Sequence, residues 1–158
     1  MIIPVRFQTA LAAALAALVV TACGGHTATK QDVIARGNAI CAGAQRDLLA
    51  APSPAAGETS LPGLAEYLGA IMPILRREVS NLRALPRPPA DRALLNRYIS
   101  AVASLGVIYG KLAAAARRGD QDAVNLALAQ LAANPASSLA ARYGLNQCAG
   151  AAGTAVPR

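Results

Sequence analysis

Residues 90–118 read ADRALLNRYISAVASLGVIYGKLAAAARR, and they decide the fold. Apolar side chains recur in this stretch at steps of three and four without a miss, at Leu95, Tyr98, Val102, Leu105, Tyr109, Leu112 and Ala116. This repeat is typical of an α-helix that packs along its whole length against other helices. Arg117 and Arg118 in the last turn, with Gly119 after them, predict where the helix ends. Asp120 is a candidate N-cap for the next helix, so the turn is tight and the two helices should be antiparallel neighbours.

Two further helices are expected before this one. The first should run from about residue 30 to 51, with Thr29 as its N-cap and Cys41 on its apolar stripe. The second should run from near Ser60 to about Ala84, and Glu78 is the single polar interruption of its apolar stripe. Prolines in the connector 85–89 then stop the helix and hold the chain extended.

A fourth helix begins at Gln121, and Asn134-Pro135 should break or kink it before it ends at Tyr143. Gly144 is expected just after its end, with Leu145 as the hydrophobic residue that follows. The composition agrees with a helical protein, since 54% of the residues are hydrophobic but only 3% are aromatic. The sequence therefore predicts an all-α, antiparallel up-and-down four-helix bundle, with the last helix broken near Pro135.

The first 22 residues have the pattern of an export signal, because Arg6 precedes an apolar run over residues 7–20. The run is too short for a permanent membrane span. The segment Val20-Thr21-Ala22-Cys23 resembles the lipobox of bacterial lipoproteins, which implies that Cys23 is lipidated and tethered through residues 23–29 to the outer face of the cytoplasmic membrane. The alternative is ordinary signal-peptidase cleavage after Ala22 and a freely secreted protein.

Three cysteines are present, so lipidation of Cys23 leaves Cys41 and Cys148. An exported chain meets an oxidising compartment, and we expect these two residues to form a disulfide between the first helix and the C-terminal end of the bundle. Two buried free thiols are the alternative. Cys148 is expected just after the last helix, which gives a domain over residues 30–148 and a disordered tail over 149–158.

The sequence offers little chemistry for catalysis. The one histidine, His26, lies in the predicted tether, no carboxylate is spaced with a histidine as a metal site needs, and no G-x-S-x-G is present. We therefore expect no metal, no cofactor and no enzymatic activity. The four tyrosines of the mature chain are expected in the core with their hydroxyls at its rim; lining a small-molecule cavity or supplying a haem ligand are the alternatives. They are Tyr67, Tyr98, Tyr109 and Tyr143.

The formal net charge is +7 and falls to +6 when the signal, with Arg6, is removed. Nucleic acid is not an expected partner, because an exported protein rarely meets it and no aromatic residues are interleaved with the basic ones. Six arginines cluster around the end of the second helix and the start of the third, and they predict a surface for anionic lipid, wall polymer or an acidic partner. They are Arg76, Arg77, Arg83, Arg87, Arg92 and Arg97. Scattered, solvated side chains are the alternative.

Several short segments together resemble a family of small helical lipoproteins of actinobacteria. They are Ile40-Cys41, the connector ending in Pro88-Pro89, Gly119-Asp120, and residues 143–148. The resemblance supplies no activity, ligand or catalytic residue.

Two functions follow as hypotheses. The first is a non-enzymatic, membrane-tethered binding module for an envelope protein or a small apolar ligand. The second is a structural or stress-related envelope component that associates with anionic lipid or polymer through its basic end. Alanine-rich helices approach closely and leave little room for a large cavity, which favours binding at the surface.

Overall fold

The computed structural model describes residues 28–52 and 60–151. Every regular element in these two ranges is helical, which confirms the all-α class. A 3-10 turn at Pro89–Asp91 precedes the third of the α-helices. These are α1 (Lys30–Ala50), α2 (Leu61–Arg83), α3 (Arg92–Arg117), α4 (Gln121–Ala132), α5 (Ala136–Tyr143) and α6 (Asn146–Ala151).

The helices begin where their capping residues stand. The Thr29 hydroxyl accepts a hydrogen bond from the backbone N–H of Asp32 at 3.2 Å, and the Asp32 carboxylate accepts one from the backbone of Thr29 at 2.9 Å. This capping box satisfies two donors at the start of α1. The side chains of Ser60 and Asp120 are the N-caps of α2 and α4, and each accepts a hydrogen bond from a backbone N–H in the first turn of its helix. The three N-terminal boundaries therefore follow directly from the sequence.

Two glycines end helices in the left-handed region. Gly119, with φ of 67°, follows α3, and Gly144, with φ of 100°, follows α5. In both turns the backbone N–H after the glycine bonds back to a carbonyl five residues earlier, as from Leu145 to Ala140 at 2.9 Å. Leu145 is fully buried, so the predicted hydrophobic follower closes this turn.

Helix α3 is the central element, and α2, α4 and α5 all contact it. Its predicted stripe faces the core, since six of the seven positions are buried and Leu105 is partly buried. The stretch Pro89–Arg117 is the one helical segment in the described ranges that is long and apolar enough to cross a membrane. Its packing against three other helices accounts for that apolar composition.

Helix α4 ends at Ala132 and α5 begins at Ala136, so the helix is interrupted where Asn134-Pro135 predicted it, and one side chain explains the structure there. The Asn134 side chain accepts a hydrogen bond at 2.9 Å from the backbone N–H of Ala136, the first residue of α5. Its amide nitrogen donates to the Ser104 hydroxyl at 2.8 Å and to the Ala101 carbonyl at 3.2 Å. Asn134 therefore connects the start of α5 to α3.

Cys41 and Cys148 form the predicted disulfide, which joins residues 107 positions apart with a Cα–Cα distance of 5.1 Å. The prediction for Cys148 was wrong in one respect, because this residue lies within α6 and not after the last helix. Residues 149–151, which were expected in the tail, belong to α6.

Tertiary contacts explain why α6, which is short and has no apolar repeat, forms a helix. The backbone N–H of Gln147 donates to the Asn38 side chain of α1 at 3.0 Å, and the Ser137 hydroxyl of α5 donates to the Ala149 carbonyl at 2.6 Å. Helix α6 is thus held on both sides, and the disulfide adds a covalent tie to α1.

Some sequence-based expectations lie outside the described residues. They are the signal over residues 1–22, the lipidation of Cys23, the tether with His26 up to residue 27, most of the loop between α1 and α2, and the tail beyond residue 151.

Candidate functional site

The core consists of two hydrophobic clusters that meet along α3. One surrounds the disulfide and the first half of α3, and includes Tyr98 and Leu145. The other surrounds the second half of α3 and includes Tyr109 and Leu68. The partly buried Leu105 packs against both clusters.

A cavity of about 50 Å³ lies where the two clusters meet. Residues of α1, α2 and α3 form most of its wall, and Ala136 of α5 and Cys148 of the disulfide line the rest. Most of the lining is apolar. The polar side chains in it are Gln45, Glu78, Tyr98 and Tyr109.

Glu78 is the one carboxylate in this lining. Its side chain is partly buried, and among the residues that the structure describes none forms a hydrogen bond or an ion pair with it. Burial raises the pKa of the Glu78 carboxyl from 4.5 to about 7, because the low-dielectric surroundings penalise its charged form. The site therefore has a carboxyl group that changes its charge close to neutral pH.

The two cavity tyrosines stay neutral over the physiological range. Burial, and after it the Glu78 charge, raises the pKa of Tyr98 well above its usual value. Burial raises the pKa of Tyr109 to about 12, with smaller contributions from Tyr67 and Glu78. The hydroxyl of Tyr98 lies 3.7 Å from Sγ of Cys41, and it must be the donor because a disulfide sulfur has no proton. Its oxygen keeps free lone pairs.

A second depression, of about 200 Å³, lies between α1 and α2 and reaches Glu78 from outside. Ala44 and Glu78 line both spaces, so the cavity and the outer groove lie next to each other at these two residues. The groove is also lined by Arg77 and Asp47, which form an ion pair at 3.5 Å with both side chains half exposed. Glu78 is itself partly exposed to solvent.

Glu78 is the functional candidate that sequence reasoning missed. From the sequence, Glu78 was interpreted only as a polar interruption of the apolar stripe of α2, which the neighbouring Val79 continues. The interruption was itself the signal, because a carboxyl at a stripe position must lie against the core. Tyr98 and Tyr109 were expected in the core, and they are buried there while they also line the cavity.

The other two tyrosines have structural positions. Tyr67 is buried in the second cluster. Tyr143 is buried in the first, where its hydroxyl has no hydrogen-bond partner among the described residues and Lys30 lies 5.1 Å above its ring. Neither residue lines the cavity.

The structure separates the six arginines of the predicted basic cluster. Arg76 and Arg83 are seven residues apart on α2 and so share one face, where they line a groove of about 480 Å³ between α2 and α3. Arg77 instead pairs with Asp47 of α1. Arg92 and Arg97 are exposed, and five residues of helix place them about 140° apart around α3.

Arg87 is a structural residue. Its guanidinium donates to the backbone carbonyls of Leu85 and Arg83 and, at 2.8 Å, to the Asn96 side chain. It therefore fastens the end of α2 and the proline-rich connector to α3, and these bonds use three of its five donors.

The described residues contain no group of three His, Cys, Asp or Glu side chains that could hold a metal ion. Comparisons of the chain with protein-family models, with curated proteins and with solved structures find no match. The resemblance to small actinobacterial lipoproteins stays a prediction.

Proposed function

We propose that this protein is a non-enzymatic binding module, lipid-anchored through Cys23 on the outer face of the cytoplasmic membrane, that takes a small molecule into the cavity beside Glu78. One observation carries the proposal: a partly buried carboxyl, without a partner in the described ranges, lines an apolar cavity. Small-molecule sites have this composition of mostly apolar walls with a few convergent polar groups.

The energetics of Glu78 favour a binding role. An uncompensated buried charge opposes folding, and the cost falls when a ligand supplies a partner. The cavity lining has acceptors and phenolic hydroxyls but no nucleophile next to a base, which supports binding rather than covalent catalysis.

We further infer that the helices form one antiparallel up-and-down four-helix bundle, with α4 and α5 as the two pieces of the fourth helix. The contacts of α1 with α2, of α2 with α3, and of α3 with both α4 and α5 support this arrangement. The Cys41–Cys148 disulfide supports an exported location, because such bonds persist in oxidising compartments.

Native mass spectrometry of the protein purified from its own membranes tests the binding function. We expect a non-covalent small-molecule adduct on the wild-type protein and a loss of that adduct in Glu78→Gln. Glu66→Gln, an exposed carboxyl on the same helix, is the matched control and should keep the adduct. Bare wild-type protein, or an adduct of equal occupancy in Glu78→Gln, would contradict the proposal.

Membrane fractionation tests the anchor. Cys23→Ser should move the protein from the membrane to the medium or leave its signal uncleaved, whereas Thr21→Ser should leave it on the membrane. Equal membrane retention of both variants, each with its signal removed as judged by mass, would show that Cys23 does not carry the anchor.

A second candidate function, association of the basic end with anionic lipid or polymer, is favoured by how charges are distributed along the helices. The Lys30–Asp91 ion pair, at 3.0 Å, places the start of α1 beside the start of α3 and the end of α2. Basic side chains outnumber acidic ones at the start of α1, the end of α2 and the start of α3. They are Lys30, Arg83, Arg87, Arg92 and Arg97, against Asp32 and Asp91.

A tether from Cys23 to Lys30 spans at most about 25 Å, so a lipid-anchored chain would hold this end close to the bilayer. Each arginine near an anionic surface contributes about 1 kcal/mol of attraction, which salt screens.

Vesicle binding by the mature chain carrying Cys23→Ser tests this second function. Changing Arg83, Arg92 and Arg97 to Ser should weaken binding to anionic vesicles, while changing Arg46, Arg117 and Arg118 to Ser, near the opposite end, should have little effect. Equal binding to neutral and anionic vesicles would reject it.

A further inference from the structure

We infer that the cavity beside Glu78 takes a small alkylammonium ion, with the carboxylate as its counter-ion and the apolar wall around its hydrocarbon part. The inference rests on the proposed function, since it names the class of ligand for the same cavity.

Charge is the first step of the argument. Glu78 is the one formally charged side chain in the cavity lining, so an anionic ligand would be repelled and a neutral ligand would leave the negative charge uncompensated. An ammonium ion supplies the missing partner, and a charge-assisted hydrogen bond to a carboxylate is among the stronger bonds available in a protein.

Hydrogen-bonding capacity is the second step. An alkylammonium group has three N–H donors and no acceptor. The polar lining offers acceptors to match them: the carboxylate of Glu78, the phenol oxygen of Tyr109 and the side-chain oxygen of Gln45. The oxygen of Tyr98 is a further acceptor, because its own proton points to the disulfide sulfur.

Size is the third step. A space of about 50 Å³ for the centres of water-sized spheres holds roughly four water-sized groups. Propylammonium has that number of non-hydrogen atoms. Leu75, Val79, Val102 and Leu105 line the cavity and provide apolar surface for its three carbons. The outer groove between α1 and α2 is also lined by Glu78, so the ligand needs to cross only this short distance from the groove to enter on our proposal.

The charged and titratable groups around Glu78 predict how binding changes with pH. Asp47 of α1 and Arg77 of α2 face it from the groove, and they neutralise each other in an ion pair. Tyr98 and Tyr109 of α3 face it from the cavity and stay protonated. Glu78 changes charge near neutrality, so binding should strengthen between pH 5.5 and pH 8.

Ligand-observed NMR on the full-length mature protein in a neutral detergent tests the inference with three probes of one shape: propylammonium, 1-propanol and propionate. At pH 8 we expect propylammonium to bind in the millimolar range typical of so small a ligand, with weaker binding of 1-propanol and none of propionate. At pH 5.5 the affinity for propylammonium should fall about 30-fold, as Glu78 becomes protonated. Glu78→Gln should lose the preference for the cation, and Glu66→Gln should keep it.

Binding of 1-propanol as tight as that of propylammonium, or an unchanged preference in Glu78→Gln, would overturn the inference. The comparison of the three probes on wild-type protein decides the question even if Glu78→Gln folds poorly. Binding of none of the probes would also overturn the inference, while a retained adduct in native mass spectrometry would still support the proposed binding function.

Discussion

Glu78 keeps its proton to about pH 7 in the folded protein, whereas its usual pKa of 4.5 applies when the chain unfolds. Between these two values the folded state binds one proton more than the unfolded state does. The free energy of unfolding therefore falls as pH rises from 4.5 through 7 and levels off above 7. One pKa unit corresponds to about 1.36 kcal/mol, so the contribution of Glu78 is at most about 3 kcal/mol, and partial exposure lowers it.

Glu78→Gln should remove this pH dependence and unfold at a higher urea concentration than the wild type at pH 8, because no buried charge has to be formed. Urea unfolding of both proteins at pH 5 and pH 8 measures the effect. Glu66→Gln should keep the wild-type slope. A pH slope that survives in Glu78→Gln would show that other groups cause it.

Gly37 is required by a close approach between α1 and Leu145. A Cβ atom built at Gly37 would lie 2.5 Å from Cδ2 of Leu145, and Leu145 is fully buried. Gly37→Ala should therefore lower the free energy of unfolding by about 1–3 kcal/mol, the usual cost of overpacking.

Gly43 on the same helix is the control, because its nearest atom is the mobile end of Arg46 at 3.9 Å. Gly43→Ala should raise stability by about 0.5–1 kcal/mol through the helix preference of alanine. Chemical denaturation measures both variants, and equal effects would rule out the contact with Leu145 as the cause.

Helix boundaries were predictable wherever a local rule fixes them. Thr29, Ser60, Asp120 and the glycines after α3 and α5 act through bonds to their own neighbours in sequence, so the printed order of residues is enough to place them. Helix α6 was not predictable, because it is held by Asn38, Ser137 and the disulfide, which belong to other elements.

The candidate site could not be predicted for the same reason, because it depends on contacts between different helices. Arg87 looked like one more surface charge, and only the path of the connector shows that it binds carbonyls of α2 and Asn96 of α3. The cavity at Glu78 depends on how three helices pack against one another. The apolar pattern of one helix does not show where space remains between helices. The disulfide could be predicted because an expected export and lipidation of Cys23 leave two cysteines to pair.

The N-cap of α4 gives a prediction at the scale of one element. Asp120 accepts a hydrogen bond from the backbone N–H of Ala123 at 3.0 Å, so Asp120→Ala should cost about 1 kcal/mol of stability. Asp122→Ala, in the same first turn but not the cap, should cost less. Urea unfolding compares the two, and the opposite order would show that the charge near the helix end matters more than the cap.

The disulfide stabilises the molecule as a whole, since it closes a loop that contains nearly all of the bundle. Changing Cys41 and Cys148 together to Ala should lower the free energy of unfolding by about 2–5 kcal/mol, with roughly 4.7 kcal/mol expected from chain entropy for a loop of about 100 residues. Urea unfolding of the double variant measures the loss. A stability equal to that of the oxidised protein would contradict the prediction.

The seam between the two core clusters has a consequence for cooperativity. Because Leu105 and the cavity lie where the clusters meet, the two halves of α3 share fewer buried neighbours than a continuous core would give them. Amide hydrogen exchange in the empty protein should then report two separate openings, one for residues near Ile99 and another for those near Ala113. A molecule seated in the cavity would contact both sides at once, and the two protection levels should converge into a single global transition.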